Sequence, residues 1–73
     1  MTDIARYEQL GEAAYEAMYD ARDRYAVKPH YEDACHYFSQ AIAAAEQMGL
    51  LAEATRLAAR RDHIQAVYDH QFR

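Results

Sequence analysis

The segment spanning residues 31–49 limits the possible folds most strongly, because its apolar residues repeat every three or four positions. This period is that of an amphipathic α-helix, which turns once in about 3.6 residues. The apolar positions are Tyr31, Ala34, Cys35, Phe38, Ala41, Ile42, Ala45 and Met48. Pro29 before the segment is typical of a first helical turn, and Gly49 after it is typical of a helix stop. We therefore predict a helix over residues 31–49 that packs against neighbours on both sides.

Two further segments with the same period flank this helix, and we predict helices over residues 3–26 and 51–71. Thr2 is suited to cap the first of them. Its apolar stripe is Tyr7, Leu10, Gly11, Ala14, Ala17, Met18, Ala21 and Tyr25. The stripe of the last helix is Leu50, Ala54, Leu57, Ala58, Ile64, Tyr68 and Phe72.

The connections between these helices are short, with a linker predicted at residues 27–29 and a tight turn at Gly49. Short connections favour antiparallel neighbours. No run alternates with the period of two residues that a strand requires. The sequence therefore predicts an all-α fold, a three-helix antiparallel array that forms a single helical domain over residues 1–73.

Small and aromatic residues give the chain a partial resemblance to a known repeat. The residues concerned are Ala34, Phe38 and Ala41 in the central helix, and Tyr7, Leu10, Gly11 and Ala14 before it. This pattern resembles the tetratricopeptide repeat, a helical hairpin with a period of about 34 residues. The likeness covers about one and a half repeats, and its two halves lie farther apart than in the family. The resemblance implies a tetratricopeptide-like hairpin plus one helix, which binds peptides or proteins and has no catalytic activity.

Composition and charge argue against several classes of protein. The net charge of −4 opposes nonspecific binding of nucleic acid, which is attracted by basic surfaces. The chain contains no apolar run of the roughly 18 residues that a membrane helix needs. A secretory leader needs an apolar segment near its start, and Thr2, Asp3 and Arg6 interrupt such a segment here. We therefore expect a cytoplasmic protein without a membrane contact. Seven arginines against one lysine, with sixteen alanines, are typical of a GC-rich bacterial genome.

The sequence contains no pattern that carries catalysis or metal binding. The histidines are His30, His36, His63 and His70, and they form no HExxH motif. Cys35 lies on the apolar side of the central helix, where cysteine usually acts as a small hydrophobic residue. A nucleophile also needs an oriented base, which the neighbouring sequence does not supply. We therefore predict that the protein is not an enzyme and that it has no catalytic residue, no cofactor and no metal.

Two groups on the first helix have alternative interpretations. An acidic ridge ascends one side at Glu8, Glu12, Glu16 and Asp20. It is either a solvated face or a docking surface for a basic partner. Tyr15 and Tyr19 lie one turn apart beside the main stripe. They either pack against the edge of the last helix or form an exposed strip that a partner covers.

Arginines on the last helix complete the candidate interaction surface. Arg56, Arg60 and His63 form a basic edge that could face DNA. Arg61 falls within the apolar stripe, where it either extends its head to water or pairs with an acidic residue across an interface. The candidate interaction residues are Tyr15, Tyr19, Arg56, Arg60 and Arg61.

These observations favour a non-catalytic protein–protein interaction module that associates with itself. We expect a symmetric homodimer built from the first and last helices, because a lone structural repeat cannot bury its apolar face. An alternative is a small helical regulator, an adaptor or inhibitor, that docks on one partner enzyme. A regulator linked to DNA is a third reading, which the acidic composition opposes. The sequence does not name the protein partner.

Overall fold

The computed structural model describes residues 2–72 and confirms the all-α fold. Three helices follow one another: α1 (Asp3–Asp20), α2 (Arg24–Gln47) and α3 (Leu51–Val67). A π-helical turn, Tyr68–Phe72, continues α3. Helix α2 packs against both α1 and α3, as predicted for the central helix. The array is flattened, with extents of 39 × 22 × 12 Å, so much of each helix surface faces outward.

The predicted boundary between the first two helices is wrong. Helix α1 ends at Asp20 instead of residue 26, and Val27 and Pro29 belong to α2 instead of a linker. The reason is Asp23, whose Oδ1 accepts a 2.9 Å hydrogen bond from the Ala26 N–H and caps α2. Pro29 in the second turn removes one helical hydrogen bond. Burial of Val27, which is 5% exposed, helps to hold the first turn against the rest of the fold.

The turn between α2 and α3 follows the prediction closely. Gly49 has a positive φ of 73°, which suits a residue without a Cβ. The Leu50 N–H donates to the Ala45 carbonyl at 2.8 Å, and the Gly49 N–H donates to the Glu46 carbonyl at 3.0 Å. These two bonds define a Schellman motif, which satisfies carbonyl groups that the end of a helix would otherwise leave open.

The core lies between α2 and its two neighbours. Its largest fully buried side chains are Phe38, Met18, Leu57 and Ile64. Small residues of α2, among them Ala34, Ala41 and Ala45, are also fully buried, and they allow the helices to approach closely. The predicted stripe of the first helix is wrong at Leu10 and Tyr25, which are 40% and 85% exposed.

Gly11 of α1 and Phe38 of α2 form a close contact in this core. A Cβ added at Gly11 would lie 2.7 Å from both Cδ2 and Cε2 of the Phe38 ring. Carbon atoms of neighbouring side chains normally lie about 3.5–4.0 Å apart. Because Phe38 is fully buried, its ring has little space to retreat. Gly11 therefore marks a close helix crossing.

We expect Gly11→Ala to destabilise the protein. Alanine gains about 1 kcal/mol of helix propensity over glycine, but overpacking a core costs about 1–3 kcal/mol. In a Phe38→Leu background, where the side chain is smaller, the added methyl group should be tolerated better. Chemical denaturation of both single variants and the double variant measures this coupling. The control is Gln9→Ala, because Gln9 is exposed on the same helix. If the losses of stability from the substitutions at residues 11 and 38 are additive in the double variant, the close contact is contradicted.

Candidate interaction surfaces

Arg56 links α1 to α3 through a pair of parallel hydrogen bonds. Its Nη1 donates to Oε2 of Glu8 at 2.8 Å, and its Nη2 donates to Oε1 at 3.0 Å. The same guanidinium also binds Glu53 of α3, with Nη2 at 2.8 Å from Oε2. This two-point geometry is the strongest that arginine forms with a carboxylate. The arrangement fixes the relative position of α1 and α3 at one end of the array.

A second ion pair lies one turn further along the same two helices. Arg60 Nη2 lies 2.9 Å from Oε1 of Glu12, and its guanidinium covers the Tyr15 ring at 5.0 Å. Both ion pairs join residues that are 48 positions apart. A constant offset means that α1 and α3 run parallel, each antiparallel to α2 between them.

Aromatic contacts extend this connection toward the C-terminal end of α3. The rings of Tyr15 and Tyr19 are 5.3 Å apart and meet edge to face. Tyr15 also contacts His63 at 6.5 Å, and Tyr19 contacts Phe72 at 5.3 Å. Of the two interpretations of these tyrosines, the contacts support packing against the edge of the last helix, although Tyr19 remains 47% exposed. We call the ion pairs and aromatic contacts together the α1–α3 seam.

The seam neutralises much of the charge that the sequence displays on these helices. Hydrogen bonds from Arg56 hold the pKa of Glu8 and of Glu53 below the usual range, and these carboxylates raise the pKa of Arg56. Half of the acidic ridge, Glu8 and Glu12, thus faces arginines of the same chain. Two members of the basic edge, Arg56 and Arg60, are directed at these carboxylates, and His63 lies against Tyr15.

The outer side of α1 carries a shallow groove with a volume of about 400 Å³. It is lined by Ala5, Glu8, Gln9, Glu12, Ala13 and Glu16. Among residues 2–72, the structure gives Glu16 and Asp20 no salt bridge. This end of the ridge therefore keeps its negative charge.

A second groove, also about 400 Å³ in volume, lies on the outer face of α2 and α3. Its lining is largely apolar and comprises Ile42, Glu46, Leu51, Ala54, Thr55 and Ala58. Leu51 in this lining is 70% exposed, and the adjoining turn exposes Met48 at 61% and Leu50 at 41%. We call this groove with Met48 and Leu50 the α2–α3 face. Sequence reasoning missed it because Met48 and Leu50 were assigned to the helical core stripes.

Arg61 borders the α2–α3 face one helical turn beyond Ala58. Its Nη1 donates a 3.0 Å hydrogen bond to Oγ of Ser39 on α2. Its Nε is buried and has no hydrogen-bond partner among the described residues. None of the carboxylates in residues 2–72 forms a salt bridge with it. The sequence predicted the difficult position of Arg61, but it gave no signal for Ser39 as its partner.

Tyr31 and Tyr68 lie against each other at the end of the α2–α3 interface that is farthest from the Gly49 turn. Their rings stack in parallel, with centroids 3.9 Å apart and an interplanar angle of 7°. Burial raises the pKa of Tyr31 to about 12, and the neighbouring Cys35 adds to the shift. The hydroxyl of Tyr31 is therefore protonated throughout the neutral range. Cys35 is a free thiol and half-buried, in keeping with its place on the apolar side of the helix.

Neither the histidines nor the helices point to further classes of site. His63 lies beside Tyr15, and His36 lies against Tyr37 at 5.5 Å. Within residues 2–72, no three histidine, cysteine or acidic side chains stand close enough together to hold a metal ion. None of the helices in that range has the length and apolar character needed to cross a membrane.

Comparison of the chain with protein-family models, with curated proteins and with solved structures gives no match. The two surfaces are therefore interpreted from their own geometry. The seam brings together four of the five predicted interaction residues, Tyr15, Tyr19, Arg56 and Arg60, and gives each a partner within the chain. Arg61 lies apart from them, toward the α2–α3 face.

We expect alkaline pH to destabilise the protein through Tyr31. Its pKa is about 12 in the folded chain and about 10 in an unfolded one. A raised folded pKa gives stability that is present below pH about 10 and is lost as the pH rises toward 12. Tyr31→Phe keeps the stacked ring and removes the ionising hydroxyl, so it should lose less stability over this interval. Thermal unfolding at several pH values measures the difference, and the exposed Tyr25→Phe is the control. If the wild type, Tyr31→Phe and Tyr25→Phe lose equal stability over this interval, the assignment to Tyr31 is contradicted.

Proposed function

We propose that the protein is a non-catalytic interaction module that associates with itself through the α2–α3 face. The observation that carries this proposal is the exposed apolar groove around Ile42, with Met48 and Leu51 open to solvent beside it. Apolar surface of this kind, when it is contiguous, is typical of protein–protein contact sites. The polar chemistry that would indicate a catalytic centre is not part of this groove.

Charge favours a second copy of the chain as the occupant. In a symmetric dimer the same patch meets itself, so a patch with strong charge of one sign repels its copy. The outer side of α1 carries Glu16 and Asp20 without a salt bridge in the described structure, and it is unsuited to such contact. The groove on α2 and α3 has only one charged lining residue, Glu46, among apolar and small residues.

The proposed interface differs from the one that the sequence suggested. The sequence placed the dimer on the first and last helices, with Tyr15 and Tyr19 as an exposed strip. In the structure these tyrosines contact His63 and Phe72, and Arg56 and Arg60 bind carboxylates of α1. Their participation in an interface stays a prediction. The proposal retains α3 and Arg61, and it replaces α1 with α2.

Sedimentation equilibrium at micromolar concentration tests the proposal. We expect the wild type to have the mass of two chains and Leu51→Glu to shift toward one chain, because it places a charge in the apolar face. The matched control is Leu10→Glu, since Leu10 is also exposed, at 40%, but lies on α1. A wild type that remains a single chain would refute self-association. A stronger effect of Leu10→Glu would move the interface to α1.

A further inference from the structure

The position of Arg61 relative to Glu46 suggests how two copies of the chain recognise each other, an inference that rests on the proposed self-association. The head of Arg61 is fixed at Ser39 by a 3.0 Å hydrogen bond, while its buried Nε has no partner among the described residues. Arg61 is half-buried, so its charge is partly removed from water, and no carboxylate among residues 2–72 forms a salt bridge with it. Glu46 lines the neighbouring groove, and the structure gives it no salt bridge within residues 2–72.

Arg61 and Glu46 form no salt bridge with each other within one chain. Ser39 and Glu46 are seven residues apart on α2, a distance of about 10 Å at 1.5 Å per residue. Seven residues make about two helical turns, so both positions lie on the same side of the helix. The midpoint between them falls at Ile42, whose side chain is part of the groove lining.

A twofold axis through this midpoint would bring the two charges together. If α2 of one chain faces α2 of a second chain in the opposite direction, the position of Ser39 in one chain is opposite Glu46 of the partner subunit. Because the interface is symmetric, the contact occurs twice, once on each side of the axis. The apolar side chain of Ile42, which is part of the groove lining, then lies at the centre between the two pairs.

We propose that Arg61 of each chain forms an ion pair with Glu46 of the partner subunit. The apolar centre supplies contact area, and the two ion pairs fix the antiparallel direction and the register of the helices. This role agrees with the general use of charges at interfaces, where they determine specificity more than affinity. It also gives a carboxylate to the guanidinium head, which the isolated chain holds through Ser39.

Charge reversal provides a sharp test, because two defective variants should repair each other. Arg61→Glu alone and Glu46→Arg alone each place like charges together in both pairs of their own dimer. We expect each variant to dissociate at least tenfold more readily than the wild type. An equal mixture of the two restores both pairs, so we expect a heterodimer of near wild-type affinity. Labelling one variant with a fluorophore allows its mass in the mixture to be measured by sedimentation.

Controls separate failure of this pairing from failure of the proposed function. Glu16→Arg reverses a carboxylate on α1, so it should remain a dimer by itself, and mixing it with Arg61→Glu should not restore wild-type affinity. Circular dichroism shows whether Arg61→Glu folds. If it does not fold, the dissociation of Arg61→Gln and of Glu46→Gln is measured in place of the charge-reversed single variants. A dimeric wild type whose reversed variants do not repair each other would overturn the Arg61–Glu46 pairing alone. A monomeric wild type would overturn both proposals.

Discussion

The contact between the Gly11 backbone and the Phe38 ring determines how closely α1 and α2 approach. Because Gly11 has no side chain, the ring lies directly against the helix backbone. The buried alanines of α2 continue this close approach on both of its sides. A central helix whose buried residues are three alanines, Val27 and Phe38 can therefore hold two neighbours, although a chain of this size buries a limited core.

One consequence is that α1 and α3 come within reach of each other's long side chains. Arg56 and Arg60 extend from α3 to Glu8 and Glu12, and the aromatic side chains continue the contact. Exposed ion pairs each contribute little to stability. Their value here is geometric, because two pairs with the same offset define a parallel register. The seam leaves the opposite side, between α2 and α3, without a comparable cover.

Sequence periodicity predicted the helices, the central position of α2 and the turn at Gly49, because each depends on residues that are close in sequence. It failed at the start of α2, where two local signals compete. Pro29 is typical of a first turn, but the Asp23 cap and the burial of Val27 place the start earlier. The exposure of Leu10 could not be predicted either, because it depends on how α1 is rotated against α2.

The candidate interaction surfaces show more clearly which contacts the sequence alone could not predict. Arg61 could be identified from the sequence as a charge within an apolar stripe, since that judgement needs only one helix. Its contact with Ser39 joins positions 22 residues apart and depends on the packing of α2 against α3. The seam likewise required a three-dimensional structure, because its ion pairs join residues 48 positions apart.

The most direct test of the account is whether the α2–α3 face meets its own copy. Ile42 lies at the midpoint through which the proposed twofold axis passes, so a cysteine there would face a second cysteine within the reach of a disulfide, about 4.4–6.8 Å between Cα atoms. In a Cys35→Ser background, mild oxidation of Ile42→Cys should yield a covalent dimer, whereas Ala13→Cys on the outer side of α1 should not. Cross-linking at residue 42 that is equal to or slower than cross-linking at residue 13 would contradict self-association through the α2–α3 face.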